Sequence, residues 1–343
     1  MKISSPFLVF AVLIIGLGLK AETMSSNIVG FVHLSATGTG GSGASQLTFH
    51  SLTLRQVPVY AGTATSFTSN TLTDPSATWA NGTFVGTHYV EIVSSNGNSA
   101  VAGVGSVNSI IANVAATGVI TVEGTLNASL TAPLTYRVRK HWTLAEVFGA
   151  ANSAGLQGGT PTTADQIILW NGPDFATYYY QTSGIGGSGW RRLGAQSTDA
   201  SGTIIRPNSG LLIRRGQSST KEILLTGEVK SGQNTMTFTT GYSYVGNPFA
   251  VAMTLGSSGL YSGNVGTGLL GGTSASTADQ VLIWSGAHYT TYYYDTAVNG
   301  WRSATDSATD AASVSIGAGT GFILRRRDGS SFTWTAPQHP ASF

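Results

Sequence analysis

The chain contains a long internal repeat: residues 142–226 are written again, with small insertions and deletions, at residues 249–336. The matched segments are TADQIILW and TADQVLIW at 163–170 and 277–284, YYY at 178–180 and 292–294, GWR at 189–191 and 300–302, and GLLIRR and GFILRR at 210–215 and 321–326. A repeat of this length is a structural module, because what recurs is a folding pattern and not a set of reactive groups. The repeat therefore predicts two related structural units.

The N-terminus has the layout of a secretory signal peptide over residues 1–21. Lys2 supplies a positive charge, an apolar run follows from Phe7 to Leu19, and a small residue, Ala21, offers a cleavage site. The alternative is an N-terminal membrane anchor, but this run is short for a span of ~20 residues. We expect export with cleavage after Ala21, and a mature chain that is secreted or lies at the cell surface, with no membrane span.

The composition is typical of an exported all-β protein. Charged residues make up 9% of the chain, against about 25% in an ordinary soluble domain. Glycine numbers 45, while the apolar content of 41% is too high for a disordered tract. The absence of cysteine excludes disulfides and thiolate metal sites and, in a large exported protein, suggests a bacterial source. A formal net charge of +2 is too small to steer nucleic acid, so we predict no nucleic-acid partner.

Alternating apolar and polar residues, Asn-Gly turns and glycine-rich loops predict short strands along most of the chain. We expect an all-β fold with a small N-terminal β domain at residues 22–138, followed by two tandem related β-sandwich or barrel-like lobes at 139–240 and 241–343. Two arrangements of the lobes stay open: one continuous sheet, or packing about a pseudo-twofold axis. Each copy begins with an apolar segment that fits a short helix. Thr143 and Glu146 have the spacing of a capping box, and Pro248 suits a first helical turn.

Recurrent aromatic residues form the most conspicuous constellation. Successive side chains of a strand point to opposite faces, so the middle tyrosine of each triplet faces away from the outer two. One interpretation is a platform that stacks on sugar rings; the other is cross-strand packing, which stabilises sheets by ~0.2–1 kcal/mol per pair. The predicted ligand-stacking residues are Tyr178, Tyr179, Tyr180, Trp190, Tyr292, Tyr293, Tyr294 and Trp301.

Recurrent carboxylates form the second constellation. Paired acids could serve glycoside hydrolysis, which needs two carboxyl groups ~5–9.5 Å apart. The Thr-Asp-Ala context instead favours turn chemistry, and recurrent arginines offer ion-pair partners. We therefore predict structural ion pairs of Asp165 with Arg214 and of Asp279 with Arg325. Asp199 and Asp310 recur in the same way near Arg191 and Arg302.

We predict no catalytic, cofactor or metal site. The six histidines are dispersed and have no zinc-ligand spacing. The chain lacks a Gly-x-Ser-x-Gly elbow and a phosphate loop that ends in Gly-Lys-Ser/Thr. Two Gly-x-Gly-x-x-Gly matches lie between predicted strands, where they are turns.

The whole motif string (TADQ, Trp, YYY, GWR and Gly-x-x-x-Arg-Arg) resembles an uncharacterised family of Gly/Ser/Thr-rich secreted proteins expanded in the Verrucomicrobia. The resemblance implies an exported protein and supplies no catalytic residues. We expect a non-enzymatic surface or extracellular structural or adhesive protein, self-associating through sheet edges. The alternatives are a module that binds a glycan or extracellular matrix through the recurrent aromatics, and a polysaccharide-active enzyme.

Overall fold

The computed structural model describes residues 28–41, 44–172 and 174–337, which form an all-β protein. The predicted signal peptide lies outside these residues. The first strands are β1 (Val29–Ala36), β2 (Gln46–Ser51) and β3 (Leu54–Arg55). The next group is β4 (Pro58–Ala64), β5 (Ser66–Phe67), β6 (Thr71–Thr73), β7 (His88–Ser95), β8 (Val107–Val114), a 3-10 turn (Ala115–Thr117), β9 (Val119–Val122) and β10 (Leu134–Lys140).

The two repeat copies follow. The first contains β11 (Trp142–Thr143), α1 (Leu144–Phe148), β12 (Gln166–Trp170), β13 (Phe175–Gln181), β14 (Gly189–Arg192), β15 (Ile204–Ile205), β16 (Gly210–Arg215) and β17 (Lys221–Val229). The second contains β18 (Asn234–Phe238), β19 (Gly241–Gly246), β20 (Met253–Thr254), β21 (Gln280–Trp284), β22 (Tyr289–Asp295), β23 (Gly300–Ser303), β24 (Ser315–Ile316), β25 (Gly321–Arg326) and β26 (Phe332–Ala336).

Lobe 1 is a sandwich of antiparallel sheets. A five-stranded sheet of order β14-β13-β12-β16-β2 faces a three-stranded sheet of order β1-β17-β3, and β11 pairs with β15 beside them. Apolar side chains from both sheets and from α1 fill one core, which includes Leu34, Phe148, Ile167 and Trp190. Alternation along the strands sends every second residue into this core.

Lobe 2 repeats this topology, except that β3 and α1 have no counterpart among its described residues. Its sheets have the orders β23-β22-β21-β25-β19, β18-β26 and β20-β24. Its β18 and β19 therefore correspond to β1 and β2 of lobe 1, although β1 and β2 lie more than 85 residues before the rest of the repeated sequence. The structural repeat is thus longer than the sequence repeat and, in lobe 1, interrupted.

The interruption is a separate β domain at residues 58–140, which we call the inserted domain. Its strands form a seven-stranded sheet of order β4-β10-β7-β8-β9-β6-β5 around its own apolar core. The two ends of the insertion lie close together: Gln56 Nε2, just before it, donates a hydrogen bond of 3.0 Å to the carbonyl of His141, just after it. The sequence boundary at 22–138 is corrected accordingly: residues 29–55 belong to lobe 1, and β18 belongs to lobe 2 and not to the first copy.

The lobes pack about a pseudo-twofold axis. Ser51 N of lobe 1 donates to the carbonyl of Gly319 of lobe 2 at 2.9 Å. The reciprocal bond joins their counterparts: Gly246 N of lobe 2 donates to the carbonyl of Asn208 of lobe 1, also at 2.9 Å. The ring of Phe49 lies at this interface. A Cβ on Gly210 or on Gly321 would lie only 2.2 and 2.3 Å from that ring. This close approach explains why both copies of the Gly-x-x-x-Arg-Arg motif begin with glycine.

One of the two expected helices forms. Thr143 and Glu146 make the predicted capping box at the start of α1. In copy 2, residues 249–251 are bends and residue 252 has no regular structure, so the helix expected after Pro248 is wrong. The buried Asn247 accounts for the difference, because its amide accepts from Phe249 N and donates to the carbonyl of Val251. These local hydrogen bonds satisfy the backbone groups that a helix would otherwise use.

Candidate functional site

The predicted aromatic platform is not an exposed surface. Tyr178 and Trp190 lie in the core of lobe 1, and Trp301 lies in the core of lobe 2. The middle tyrosines, Tyr179 and Tyr293, are buried on the opposite sheet face. Tyr179 lies between Gln166 and Arg191 of the neighbouring strands. Strand alternation does separate the rings, but both faces of β13 and β22 are covered.

The remaining predicted rings are half-buried and pack on other aromatic residues. Tyr180 meets Trp190 edge-on at a centroid distance of 5.6 Å. Tyr294 meets Trp301 edge-on, and its face is covered by Tyr261, stacked at 3.5 Å. Tyr292 packs against the core of lobe 2. These residues therefore act as cross-strand packing, the second of the two sequence interpretations.

The predicted carboxylates form buried ion pairs, but each with the next arginine along the chain. Asp165 pairs with Arg215, and Asp279 Oδ2 accepts from Arg326 Nη1 at 2.6 Å. The expected partners point to the other face of the same strands. Arg214 donates to Ser45 Oγ at 2.9 Å and to Gln166 Oε1 at 3.4 Å, and Arg325 lies over the ring of Tyr242 at 5.2 Å. The pairings with Arg214 and Arg325 are corrected for this reason.

The second set of carboxylates behaves as the sequence suggests. Arg191 Nη1 lies 3.4 Å from Asp199 Oδ1, and Arg302 Nη1 lies 3.2 Å from Asp310 Oδ1. Both aspartates are exposed and also accept backbone N–H groups two residues later. They are turn residues with an arginine partner, which leaves them no evident role in acid–base chemistry.

A cavity lies where lobe 1, lobe 2 and the inserted domain meet. Its volume is about 640 Å³, and cavities of about 240 and 220 Å³ adjoin it. Ser209 is part of the wall of all three, and we call them together the junction groove. The main cavity is walled by residues 106–108 and 124–128 of the inserted domain, Trp170 and 207–209 of lobe 1, and 235–238, 243–245 and Thr333 of lobe 2.

Two aromatic rings from different lobes form one wall of the main cavity. Trp170 ends β12, and its ring lies 4.8 Å from the ring of Tyr244 on β19. The equivalent tryptophan in lobe 2 is Trp284. Its Nε1 makes a hydrogen bond, donating to the carbonyl of Leu47 at 2.9 Å. Within the described residues, Trp170 Nε1 has no such hydrogen bond. Trp170 therefore keeps its N–H group free of partners among the described residues, and the residue lines the cavity.

The rest of the main cavity combines apolar side chains, among them Met236 and Phe238, with hydroxyl and amide groups. None of the described residues that line it is Asp, Glu, His, Lys or Arg. Thr237 and Thr333 present hydroxyls 3.1 Å apart. Asn208 holds its backbone in the left-handed region at φ 64°, and its buried Nδ2 lacks a hydrogen-bond partner among the described residues. Buried amides without a partner are rare, because their N–H groups lose the hydrogen bonds that water would supply.

The 240 Å³ cavity at one end of the groove contains the titratable groups. His141 is 1% exposed, and neither ring nitrogen has a hydrogen-bond partner among the described residues. Burial, reinforced by the nearby Arg206 guanidinium, lowers the pKa of His141 to about 4. Burial also raises the pKa of the adjacent Tyr89 to about 12. Glu123 is paired with Arg206 at 2.6 Å, so this end holds a neutral imidazole and a compensated carboxylate.

Sequence reasoning did not identify the junction groove. Trp170 lies in the matched motif, yet nothing in the sequence distinguishes it from its counterpart Trp284, which donates a hydrogen bond across the lobe interface. Groups of three or more His, Asp or Glu with a metal-binding arrangement do not occur in the described part of the chain. Comparison of the chain with protein-family models, curated proteins and solved structures finds no match. Within the described residues, no helix is long and apolar enough to cross a membrane.

Proposed function

We propose that this is an exported, non-enzymatic surface protein that binds a neutral glycan in the junction groove. The observation that carries the proposal is the uncharged 640 Å³ cavity with the Trp170–Tyr244 pair on one wall. Aromatic faces suit the C–H face of a sugar ring, and surrounding hydroxyl and amide groups suit its hydroxyls. Neither Trp170 nor Tyr244 is among the eight ligand-stacking residues predicted from the sequence, although Trp170 belongs to the recurrent aromatic motif.

The composition of the groove supports binding over hydrolysis. Glycoside hydrolysis needs two carboxyl groups on either side of the scissile bond. The described lining of the main cavity contains none, and the single carboxylate at its end, Glu123, is paired with Arg206. A neutral, polar, partly aromatic cleft of this size holds a few sugar units without activating any of them.

The test is a glycan array of neutral oligosaccharides with the mature protein, followed by titration of the best binder. Trp170→Ala and Tyr244→Ala each remove one ring and should weaken binding by about 30-fold, or about 2 kcal/mol, as for aromatic hot spots. Tyr242→Ala is the matched control, because Tyr242 lies on the same strand but outside the groove. Full affinity in both groove variants would disprove the site, and cleavage of the bound glycan would disprove the non-enzymatic assignment.

Self-association is a second candidate function, and the edge strand β1 favours it. β1 lies at the edge of its sheet, with β17 as its neighbour. Its outward residues Val29 and Phe31 are 64% and 68% exposed, and Leu224 on β17 adds to the same face. An exposed, apolar edge strand is a template for pairing with another chain. A second copy of this protein could add its own β1 there.

Export rests on the sequence of residues 1–21 and is tested separately. The mature protein recovered from the medium or the cell surface should begin at Glu22. Retention of Met1 in that fraction would contradict cleavage, and recovery of the protein only from the cytoplasm would contradict export.

A further inference from the structure

A second, smaller cavity of about 190 Å³ shares no wall residue with the junction groove and, unlike the main cavity of the groove, is lined by charged side chains. It is bounded by β7 and β10 of the inserted domain, by the end of β3 and the end of β17 in lobe 1, and by residues 231–233, which link the two lobes. Its charged wall residues are Arg55, Glu91, Arg137, Arg139, Glu228 and Lys230. We call these six residues the charged joint.

The two carboxylates of the charged joint already have several donors each. Glu91 accepts from Arg55, from Arg139 Nε at 2.8 Å and from Lys230 Nζ at 3.0 Å. Glu228 accepts from Arg139 Nη2 at 2.6 Å and from Arg137 Nη1 at 3.3 Å. Four cationic side chains therefore share two carboxylates, so the charged joint has a net charge of two positive charges.

Most of this excess positive charge is buried. Arg55, Arg139 and Lys230 are buried, and Arg137 is the most exposed of the four. Burial, together with repulsion by the Arg55 guanidinium, lowers the pKa of Lys230 to about 8. Removing charges from water is costly unless opposite charge compensates them, and the excess here has no partner among the described residues of the wall.

Free hydrogen-bond donors accompany the excess charge. Among the described residues, Lys230 Nζ donates only to Glu91, although an ammonium group has three N–H bonds. Asn234 is not part of the cavity wall, but its Oδ1 accepts from Arg55 Nη2 at 3.0 Å and so holds that guanidinium in place. Surplus positive charge, spare donors and an open volume are the three requirements of an anion site.

We propose that the charged joint binds a small oxyanion of the phosphate or sulfate type. The anion compensates Lys230 and Arg137 and accepts hydrogen bonds that the two glutamates leave unused. Its position gives it a structural consequence: it contacts the inserted domain, lobe 1 and the linker to lobe 2 at once. Gly105 of the inserted domain approaches this linker so closely that a Cβ would lie 2.0 Å from the carbonyl oxygen of Gln233. An anion held beside this contact fixes the relative position of the three units.

The test uses the intact mature protein and inorganic phosphate at pH 7 in a phosphate-free, low-salt buffer. Calorimetric titration should show one saturable site, and thermal unfolding should shift upward with phosphate. Sodium chloride at equal ionic strength is the control for general salt effects. A shift of the same size with chloride, or titration heats that do not saturate, would overturn the proposal.

Three variants locate the site. Lys230→Gln and Arg137→Gln each remove one charged donor and should weaken phosphate binding by about tenfold or more. Arg137→Gln is the safer variant for folding because its side chain is half-buried at the rim of the cavity. Lys221→Gln makes the same charge change at the other end of β17, outside the cavity, and should leave the affinity unchanged. Parent-like affinity in both Lys230→Gln and Arg137→Gln would show that phosphate binds elsewhere and would refute the assignment.

Discussion

At the residue scale, each lobe depends on one carboxylate that joins three chain segments. In lobe 2, Asp279 accepts from Arg326 on β25, from Leu270 N at 2.7 Å and from Arg327 N at 2.6 Å. Asp165 and Arg215 repeat this arrangement in lobe 1. Asp279 and Arg326 have no exposed side-chain surface. The loss of the Asp279 charge leaves Arg326 buried, with the partly exposed Asp328, 3.5 Å away, as its remaining ionic partner.

Replacing the buried carboxylate should therefore be costly. We expect Asp279→Asn to lower the free energy of unfolding by about 3–5 kcal/mol, because Arg326 keeps its charge in a buried site. Asp310→Asn is the matched control: Asp310 also pairs with an arginine but is largely exposed, so its loss should cost no more than about 1 kcal/mol. Denaturant unfolding measures both, and equal costs would contradict the role assigned to Asp279.

His141 should make the protein less stable in mild acid. Its folded pKa of about 4 lies below the usual 6.5, so between these values the unfolded chain binds a proton that the folded chain does not. Stability is unaffected above pH 6.5 and falls as the pH decreases, by about 2–3 kcal/mol at pH 4.5 from this residue. We expect His141→Gln to remove this residue's contribution to the slope of the free energy of unfolding against pH between pH 6.5 and 4.5.

The control for this experiment is His288→Gln, at an exposed position, which should keep the parental slope. Some slope should remain in His141→Gln, because burial also lowers the pKa values of His50 and His88. The measurement is denaturant unfolding at several pH values. A parental slope in His141→Gln would show that the imidazole becomes protonated as easily in the folded chain as in the unfolded one.

The residue types of the ion pairs could be predicted from the sequence, but not which of two adjacent arginines is the partner. Arg214 and Arg215 are neighbours on a strand and point to opposite faces of the sheet. An error of one position in choosing the partner therefore places the ion pair on the wrong face. The sequence could not reveal which face of β16 is buried against Asp165, because the residues before the arginines are apolar on both faces. One face meets the lobe core, and the other meets the second lobe.

At the scale of elements, the edge strand β1 differs from its counterpart in lobe 2. β18 carries Asn234, Thr235 and Thr237, whereas β1 exposes Val29 and Phe31. The apolar edge is therefore specific to lobe 1. Edge strands in monomeric proteins usually carry charge or proline that prevents pairing.

A charge on β1 should block self-association. We expect the parent to show a mass that rises with concentration in light scattering, because two β1 edges can pair in register. Phe31→Lys introduces a charge at the exposed position and should keep the protein monomeric without loss of stability, since the side chain is not in the core. Thr237→Lys on the equivalent strand is the control. A parent that stays monomeric at high concentration would remove this candidate function.

The strands of the repeated segments were predictable because two signals indicate the same strands: the alternation of apolar residues and the turn residues that bound each strand. The helix expected in copy 2 was not, since the same short apolar segment is compatible with helix and with bends. The side chain of Asn247 decides between them through contacts with residues 316 and 317, nearly 70 positions away. Long-range hydrogen bonds of this kind leave no periodic signal in the sequence.

At the scale of the whole molecule, the sequence did not predict that the small β domain is inserted within lobe 1 and does not precede it. β2 and β19 occupy equivalent places but share little sequence, QLTFHS against GYSYVG, so the repeat is invisible there. Only an aromatic residue at the interface position is common to both, Phe49 in β2 and Tyr244 in β19. Without that equivalence, the strands before the inserted domain look like part of it.

The insertion explains why both candidate sites lie where they do. The junction groove and the charged joint each take part of their wall from the inserted domain and part from lobe 1. Neither site exists in a two-lobe protein without the insertion. The pseudo-twofold pair of lobes thus supplies the scaffold, and the inserted domain breaks its symmetry, so that Trp170 lines a cavity while Trp284 is part of an interface.

The inserted domain should fold by itself. Its core is made only of residues between 60 and 138, including Leu72, Ile110, Tyr136 and Val138. We expect a fragment of residues 57–140 to unfold cooperatively with heat, as single domains of this size do. Glu91 and Arg139 keep each other as partners in the fragment, at 2.8 Å, so little charge is left unpaired.

The complementary protein, with Gln56 joined to His141 through a short Gly-Ser linker, should fold less well. The chain ends are close enough to join, but Arg55, Glu228 and Lys230 remain without Glu91 and Arg139, and two cations then face one carboxylate. Adding Lys230→Gln should restore much of the lost stability by removing the surplus charge. Circular dichroism and thermal unfolding of the three proteins measure this. A fragment 57–140 without cooperative unfolding would show that its core depends on lobe 1, and the insertion would then be an extension of that lobe and not a domain.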